Sequence, residues 1–502
     1  MTALFKAIFS MAFVATTASI SIAAEEAVAE VTSIMDTIME YNSFVNGIVW
    51  GPWMCAFIVG VGMYLTFILG FPQFRYFFIS LKQVFGKNKS AVSDGNISSF
   101  AALSTALAAT VGTGNVAGVA TALVAGGPGA LFWMLFSAVF GMATKFSEVS
   151  LAVKYREKDA DGNWRGGTMH MLEKGTGQKW LAWIFALFAV LASFGIGCAV
   201  QANSTAEGIK MGFDIPVIYT GVVLAILVAA VILGGLQSLA KVTTLLVPFM
   251  AVFYIIGAGW VVVENYARIP ETILNAIKYA FTDPMAIPGA LAGWSVKMAI
   301  QKGIARGIFS NEAGLGSAPM VHATATVDHP IRQGLYGIFE VFADTLVICT
   351  LTALTILLTG ALGQLGADGN VLTGAQLSLA AFEMGLGTTW GKVVLPVALA
   401  LFAFTTILGW YWYSETAAVY IFGTKVKNVV KFLFIVITLL GACGGDLLGG
   451  GNDFLNHLWD IADTLNGLMA IPNLLALVIL GGVMRTLVKD FDDKRKSGDL
   501  KI

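Results

Sequence analysis

Long apolar stretches, each about the length of one membrane crossing, follow one another along the chain and are separated by short polar connections. A transmembrane helix needs about 20 predominantly apolar residues. On that basis the chain divides into about eleven spans: 50–71, 97–124, 128–152, 180–203, 215–235, 242–263, 290–325, 333–361, 389–413, 428–445 and 457–488. The pattern therefore predicts an all-α polytopic membrane protein.

Two of these stretches are interrupted by clusters of glycine and small polar residues. The first interruption reads AATVGTGNVAG over residues 108–118, and the second reads RGIFSNEAGLGS over residues 306–317. Glycine in a helix interior costs about 1 kcal/mol relative to alanine. Non-helical backbone at membrane depth is tolerated only where protein or a water-filled cavity satisfies its polar groups. Two interruptions at matching places in the two halves indicate the substrate site of a secondary transporter.

Without the first span, ten helices remain, and they divide as five plus five. The odd number makes the second set run inverted relative to the first, and a broken helix opens each set. This is the arrangement of the LeuT-type fold, whose first and sixth core helices unwind near the bilayer midplane. The predicted organisation is a periplasmic segment with an extra N-terminal transmembrane helix (25–72), a first five-helix repeat (97–264), a second, inverted five-helix repeat (290–488) and a cytoplasmic tail (489–502).

Two stretches between the spans are short and helical in pattern. In the first, Ile269–Phe281, the residues Ile273, Ile277 and Phe281 are spaced for one face, which predicts an amphipathic helix on the surface. The stretch 373–385 is a second candidate of the same kind.

The positions of the basic residues predict the orientation. With the N-terminus outside, most Lys and Arg residues fall in cytoplasmic connections or in the C-terminal tail, as the positive-inside rule requires. The outer connections hold only Lys210, Arg268, Lys278 and Lys392. We therefore expect a multi-pass protein of the bacterial plasma (inner) membrane with a cytoplasmic C-terminus.

The first two dozen residues have the pattern of a secretory signal peptide. Lys6 precedes an apolar run at 7–20, and small residues then lead to the acidic Glu25 and Glu26. We predict a signal peptide at 1–24; the alternative is a short membrane anchor that is retained.

Composition narrows the function. The chain is 57% hydrophobic and 12% charged, with a mean hydropathy of +0.78, whereas soluble domains are about 25% charged. We therefore expect the protein to be embedded in a lipid bilayer, and we expect no nucleic-acid partner. Four cysteines and four histidines are dispersed without metal-ligand spacing, which favours buried free thiols.

The HExxH and GxSxG signatures are absent, so we do not expect an enzyme. A channel would also tolerate broken helices, but it would more often contain a filter strand or rings of like charge, so we favour a transporter.

Four strings resemble the alanine/glycine:cation symporter family: TVGTGNVAGVATA, GGPGALFWM, KFSEVSLAVKYR and RGIFSNEAGLGSAP. The resemblance covers about residues 45–490. It implies sodium- or proton-coupled uptake of small neutral amino acids such as alanine and glycine by alternating access, on a LeuT-like fold, with Na⁺ as coupling ion and no other cofactor. The alternative is a symporter of the same fold that is coupled to protons or carries another small cargo, such as a nucleobase.

A zwitterionic amino acid and a cation need complementary partners, which broken helices supply as free N–H groups and carbonyls. For substrate we select Thr113, Gly114 and Asn115 in the first break. The GTGN string also resembles the break in the first core helix of LeuT-type transporters. That resemblance implies that sodium is bound by the Asn115 side chain and by carbonyls of Ala108, Thr110 and Val111. Alternatively, the glycines only let helices approach closely.

In the second break, Phe309, Ser310 and Asn311 lie where the helix is expected to unwind. Phe309 would wall the substrate site, while Ser310 and Asn311 would offer an amide, a hydroxyl and carbonyls. An intramembrane carboxylate such as Glu312 suggests function. Alternatively, Glu312 pairs with Arg306 and caps the inner half-helix.

The ninth span contributes two adjacent hydroxyls and a tryptophan. Thr405 and Thr406 resemble the Thr/Ser pair that completes a second sodium site in LeuT-type transporters; the alternative is back-bonding to the preceding turn. Trp410 falls on the same helical face and would close the pocket, unless it belongs to an interfacial belt. Phe309 and Trp410 together would leave room only for a small side chain.

Three further polar residues complete the candidate site. Gln201 in the fourth span would hydrogen-bond the substrate carboxylate or a half-helix. Glu340 and Asp344 stand four residues apart in the eighth span, which places two carboxylates on one helix face. Protonation, a bound cation or an arginine partner would compensate these charges in lipid, so both residues are candidates for ion coupling.

Overall fold

The computed structural model of the protein describes residues 35–86, 94–282, 291, 293–367, 369–447 and 453–500. The protein is mostly helical (83%), which confirms the predicted all-α membrane fold. The signal peptide predicted at 1–24 lies outside the described residues.

An N-terminal helical segment precedes the first break. Its first helix, α1, spans 35–49. Pro52 begins the next helix, because proline is tolerated in the first helical turn. Together these two helices form an apolar stretch of 34 residues, Met35–Ile68. The later helices of the segment are α2 (Pro52–Ile68), α3 (Pro72–Arg75) and α4 (Phe77–Phe85).

The first repeat begins with the broken helix. Its elements are β1 (Ile97–Ser98), α5 (Ser99–Thr110), α6 (Ala117–Gly126), α7 (Gly129–Lys154), β2 (Glu157–Lys158), β3 (Trp164–Arg165), α8 (Thr168–His170), α9 (Lys179–Phe194), α10 (Val200–Phe213), α11 (Val217–Ile232) and α12 (Gly235–Glu264). A 3₁₀ turn, Thr113–Asn115, lies in the first break, and the helix axis bends there by 59°. π-Helical turns, Met171–Gly175 and Gly195–Ala199, follow α8 and α9.

The second repeat follows a helix that lies between the two sets. The elements are α13 (Ile269–Phe281), α14 (Val296–Asn311), α15 (Pro319–His322), β4 (Ala325–Thr326), α16 (Pro330–Val341), α17 (Thr350–Thr359), α18 (Gly374–Leu386), α19 (Thr388–Phe422), α20 (Lys427–Leu447), α21 (Asp453–Ile479) and α22 (Gly481–Ser497). A long π-helical stretch, Phe342–Cys349, joins α16 to α17. Short 3₁₀ turns, Tyr266–Arg268 and Thr424–Val426, precede α13 and α20.

The described residues contain eight helices that are long and apolar enough to cross a bilayer, or nine if α5 and α6 count as one bent span. Helix α11 is apolar but only 16 residues long, and the second break separates α14 from the short α15. These elements account for the difference from the predicted number of about eleven, which stays a prediction.

The bounds of α13 and of the eleventh predicted span can be compared directly with the structure. The helix α13 has the predicted bounds, and its apolar residues Ile273, Ile277 and Phe281 are exposed while Ala276 and Ala280 are buried. The eleventh span was predicted near 457–488 as a long, interrupted stretch; in the structure α21 ends at Ile479, and a separate, more polar helix α22 begins at Gly481.

Helix α7 is the element against which both halves pack. A Cβ atom at Gly303 or Gly307 of α14 would lie 2.4 Å from the Ala130 carbonyl oxygen or 2.6 Å from the Ser137 hydroxyl. Small residues thus let α14 approach α7 closely, as is common in membrane helix pairs. The halves also meet where β1 pairs in parallel with β4, with Ile97 opposite Ala325. This packing brings the two breaks together.

Candidate substrate and cation site

The first break is closed by the side chain of Asn115. Helix α5 ends at Thr110, and α6 begins at Ala117. The Gly112 N–H donates to Asn115 Oδ1 over 2.8 Å, so it does not take the helical bond to the Ala108 carbonyl. Helix ends leave such carbonyls without an intrahelical partner. The break therefore leaves carbonyl oxygens at the end of α5 available for a cation.

The amide nitrogen of Asn115 points into a buried group of polar side chains. Asn115 Nδ2 donates to Asp344 Oδ1 over 2.6 Å. The hydroxyls of Ser310 and Thr345 donate to Asp344 Oδ2 over 2.9 and 2.7 Å. The Cys349 sulfur lies 3.3 Å from Asn115 Nδ2 and 3.2 Å from Ser310 Oγ. We call these five residues the central cluster; it joins both broken helices to the π-helical stretch.

Asp344 is fully buried, and within the described residues no Lys, Arg or His nitrogen lies within 4 Å of its carboxylate. Buried charges in proteins are normally paired or coordinate a metal. The described residues include no group of three His, Cys, Asp or Glu side chains arranged to hold a metal ion. A cation at the central cluster would therefore use one carboxylate together with amide, hydroxyl and carbonyl oxygens.

Gln201 contacts the first break directly. Its Oε1 accepts a hydrogen bond from the Thr113 hydroxyl over 3.1 Å, and its Nε2 donates to the Ile196 carbonyl over 3.1 Å. Ile196 belongs to the π-helical turn Gly195–Ala199, where the backbone ladder is shifted. π-Bulges occur frequently at functional sites. The structure thus brings Gln201 and Thr113 together, as the candidate site requires.

The adjacent hydroxyls of Thr405 and Thr406 in α19 point in different directions. Thr406 Oγ1 donates to the Val111 carbonyl over 3.5 Å, so it faces the first break. Thr405 Oγ1 donates to the Phe402 carbonyl over 3.0 Å and lies 3.3 Å from the Met250 sulfur. Thr405 thus makes the back-bond that is usual for a threonine within a helix, and only Thr406 contacts the break.

Trp410 is buried against the π-helical turn that orients Gln201. A Cβ atom at Gly197 would lie only 2.4 Å from Trp410 Cβ. Only 2% of the residue is exposed, so it lies inside the protein rather than in an interfacial belt.

The second break begins later than expected. Helix α14 continues through Asn311, so Phe309, Ser310 and Asn311 occupy its last turn, and the expectation that they are unwound is wrong. Unwinding starts at Glu312, which has a left-handed backbone (φ 55°). The helical turn directs Ser310 to the central cluster, while Asn311 Nδ2 donates to the Thr345 hydroxyl over 3.0 Å.

The unwound backbone after Glu312 is held by polar side chains of neighbouring helices. Glu148 Oε1 accepts from the Gly314 N–H over 3.0 Å, and Asn473 Nδ2 donates to the Gly314 carbonyl over 3.0 Å. Asn473 also donates to Glu148, and Ser317 donates to Glu312. The backbone of the second break is therefore stabilised by hydrogen bonds to the scaffold.

Glu312 makes no ion pair with Arg306 within 4 Å. The Arg306 guanidinium instead lies over the Phe309 ring, 5.3 Å from its centroid. On another side of that ring is the first break, since a Cβ atom at Gly114 would lie 3.3 Å from Phe309 Cδ1. Phe309 thus lies between Arg306 and the first break.

Glu340 and Asp344 have different partners. Glu340 Oε1 lies 3.3 Å from Lys145 Nζ, and Glu340 Oε2 lies 3.0 Å from His322 Nε2; all three side chains are buried. The π-helical stretch begins at Phe342 and shifts the residues after it relative to a regular helix. Of the two carboxylates, Asp344 is the one that hydrogen-bonds to side chains of both broken helices.

Three residues at the site were missed by sequence reasoning. Cys349 and Thr345 belong to the central cluster, and the Thr352 hydroxyl donates to the Asn115 carbonyl over 2.8 Å. A π-helix aligns residues five apart, so Cys349 shares a face with Asp344. Nothing in the local sequence announces this helix type, and an isolated cysteine in an apolar stretch reads as core.

Comparisons with known proteins give the family and the fold of the chain. The profile described as the sodium:alanine symporter family matches residues 35–502. The chain is 44% identical to the sodium/alanine symporter AgcS of Methanococcus maripaludis, over 92% of this chain and 99% of that protein. It is also 44% identical to an uncharacterized transporter of Haemophilus influenzae, over 92% and 97% of the two chains. Among solved structures, MhsT in complex with L-phenylalanine superposes with a TM-score of 0.53 at 14% identity, over 79% of this chain and 98% of that one.

Proposed function

The chain belongs to the sodium:alanine symporter family, and from that membership we propose that it takes up small neutral amino acids, alanine and glycine, by sodium-coupled symport. The observation that carries the proposal is the central cluster. There the buried Asp344 carboxylate gathers an amide and a hydroxyl from the two broken helices without a basic partner within 4 Å in the described part of the chain. A cation would compensate that charge, and a change in either broken helix would alter its ligands.

Sodium would be bound along the first break. The Ala108, Thr110 and Val111 carbonyls and the Asn115 side chain are candidates for one shell of oxygen ligands. Of the pair Thr405 and Thr406, the contact with the Val111 carbonyl supports Thr406. Asp344 is the stronger candidate for coupling, because Glu340 is already compensated by Lys145.

The amino acid would lie between the two breaks. Its carboxylate would meet Gln201, Thr113 and the N–H groups that open α6, where the helix dipole favours an anion. Gly114, Asn115, Ser310 and Asn311 line the opposite side, with Phe309 and Trp410 as apolar walls. The close approach of Phe309 to Gly114 leaves little space, which favours a small side chain.

We further propose the arrangement in the membrane that the basic residues favour. The N-terminus lies outside, the C-terminal tail lies in the cytoplasm, and the two five-helix sets run inverted relative to one another. A cysteine introduced at exposed Ser497 should react with an impermeant thiol reagent only from the cytoplasmic side.

The decisive experiment is uptake of radiolabelled alanine into proteoliposomes. An inward sodium gradient is compared with potassium plus an inward proton gradient. Accumulation that requires sodium supports the proposal, whereas accumulation driven by protons alone supports the proton-coupled alternative. Absence of uptake under both gradients, with protein that elutes as a single folded species, contradicts alanine as the cargo.

A further inference from the structure

A polar cavity lies beside Phe309, away from the central cluster. It has a volume of about 180 Å³ and lies between α1, α14 and α21. Its lining includes Asn46, Trp50, Lys302, Arg306, Phe309 and Asp463. We call it the Arg306 cavity.

Charges of both signs line the Arg306 cavity without neutralising one another in direct ion pairs. Within the described residues, neither Lys302 nor Arg306 has a carboxylate oxygen within 4 Å, and neither does Asp463 have a basic nitrogen at that distance. Asp463 Oδ2 accepts from Asn46 over 3.0 Å, while its Oδ1 has no hydrogen-bond partner in the described structure. A ligand with a carboxylate at one end and an ammonium at the other matches this arrangement.

The size of the cavity also favours a small zwitterion. Pockets for drug-sized ligands measure about 300–1,000 Å³. The rings of Trp50 and Phe309, whose centroids are 6.4 Å apart, supply apolar walls.

Phe309 borders both this cavity and the first break. Phe309 carries the Arg306 guanidinium over its ring and also lies against the first break at Gly114. A ligand in the Arg306 cavity would therefore need Phe309 to move before it reached the central site.

We propose that the Arg306 cavity is a second binding site for a zwitterionic amino acid, which it holds before entry to the central site. The carboxylate binds Lys302 and Arg306, and the ammonium group binds Asp463. This inference rests on the proposed function, because it assumes that the cargo is an amino acid.

The N-terminal helical segment completes the Arg306 cavity. The Asn46 amide donates to the Asp463 side chain. Trp50 Nε1 donates to the Asp463 backbone carbonyl over 3.2 Å. Gln301 Nε2 donates to the Trp50 carbonyl over 3.0 Å. The helices outside the two repeats thus fix the orientation of Asp463 and supply one wall of the site.

The test is saturation binding of radiolabelled alanine to purified full-length protein in sodium, combined with competition. We expect two alanine molecules per chain in the wild type and one in Arg306→Gln, Lys302→Gln or Asp463→Asn. Propionate, which lacks the ammonium group, should displace the second alanine through the basic residues, and ethylamine should displace it through Asp463. Uptake at low alanine concentration should fall roughly 10-fold in these variants, since hydrogen bonds to charged groups are the strong ones.

The matched control is Lys297→Gln, which removes a charge from the same helix at an exposed position outside the cavity. It should retain two alanine molecules per chain. A single alanine per chain in the wild type, or a second one that propionate and ethylamine do not displace, overturns the inference. Neither result resembles failure of the proposed function, in which the wild type binds no alanine in sodium and accumulates none.

Discussion

The two breaks differ in what holds their backbone. In the first, a 3₁₀ turn interrupts the helix, and the break is closed by its own Asn115 side chain. In the second, residues 312–318 are unwound, and their backbone is bound by Glu148 and Asn473 from other helices.

The two breaks therefore differ in what they offer: the first has polar groups available for a ligand, and the second is mainly structural. The first break leaves carbonyl oxygens at the end of α5 available, whereas the polar backbone of the second break is largely satisfied by side chains of neighbouring helices. The second broken helix contributes to the central cluster through Ser310, which lies in the helical turn before the break. Substitutions in the first break should therefore affect transport, and substitutions in the second should affect stability.

The largest effect is expected for Gly114→Leu. A Cβ atom alone would already lie 3.3 Å from the Phe309 ring, so a leucine side chain would fill the proposed substrate space. Alanine uptake should fall below detection while membrane insertion and thermal stability remain near wild type. The matched control is Gly60→Leu, where a Cβ atom meets nothing within 4 Å. Substantial uptake by Gly114→Leu would remove this glycine from the site.

In the second break, Gly316→Ala should mainly lower stability. Gly316 has φ +81°, and a Cβ atom there would lie 2.4 Å from the Thr168 hydroxyl and 2.8 Å from Asn473 Cγ. Left-handed backbone costs about 1–2 kcal/mol for alanine and overpacking about 1–3 kcal/mol, so we expect a loss of about 2–5 kcal/mol.

The measurement for Gly316→Ala is the thermal unfolding midpoint in detergent. Gly360→Ala serves as control, because Gly360 has φ +76° but nothing within 4 Å of a Cβ atom. Its loss should be about 1–2 kcal/mol from the backbone alone. Equal losses in both variants would contradict the idea that Thr168 and Asn473 lie too close to Gly316 for a side chain to fit.

Asp344→Asn should weaken sodium activation of uptake by about 10- to 100-fold, because contacts with a charged group are worth about 1.5–3 kcal/mol. The sodium concentration for half-maximal uptake is the readout. Its partner variant is Glu340→Gln, which faces Lys145 rather than the breaks and should mainly lower thermal stability. A reversed pattern would move ion coupling to Glu340.

The hydroxyl pair offers a smaller and sharper test. Thr406→Ala should raise the half-maximal sodium concentration by about 5-fold, which corresponds to about 1 kcal/mol for a lost ligand. Thr405→Ala should leave it nearly unchanged, since that hydroxyl bonds within its own helix and to Met250. Equal effects would indicate that both hydroxyls bind sodium in another conformation of the transporter.

The smallest effect is expected at Glu157, which lies in the connection between α7 and α8. Hydrogen bonds from His170 and Lys174 lower the pKa of Glu157 from 4.5 to about 2. A lowered pKa stabilises the fold above pH 4.5, and that contribution is lost as the pH falls toward 2. Glu157 is partly exposed, so Glu157→Gln should cost less than about 1 kcal/mol at pH 7. The difference in unfolding midpoint from wild type should shrink at pH 3; a difference that grows there would contradict this assignment.

Much of the candidate site could be predicted from local sequence. Thr113 and Asn115 stand out because small polar residues and glycines rarely interrupt a membrane helix without reason. The bounds of α13 follow from its amphipathic spacing. The end of α14 was misjudged because a glycine-rich string shows that a helix breaks without specifying the residue at which it does so.

The sequence by itself determined the all-α membrane fold, the two interrupted helices and the family, because apolar length, glycine clusters and long motifs are local properties of the chain. Only the tertiary structure decided which polar groups meet. Thr405 and Thr406 are adjacent but face different helices, and Glu340 and Asp344 are separated by the start of a π-helical stretch. The partner of a buried polar group depends on helix phase and on packing between distant segments, which no local pattern specifies.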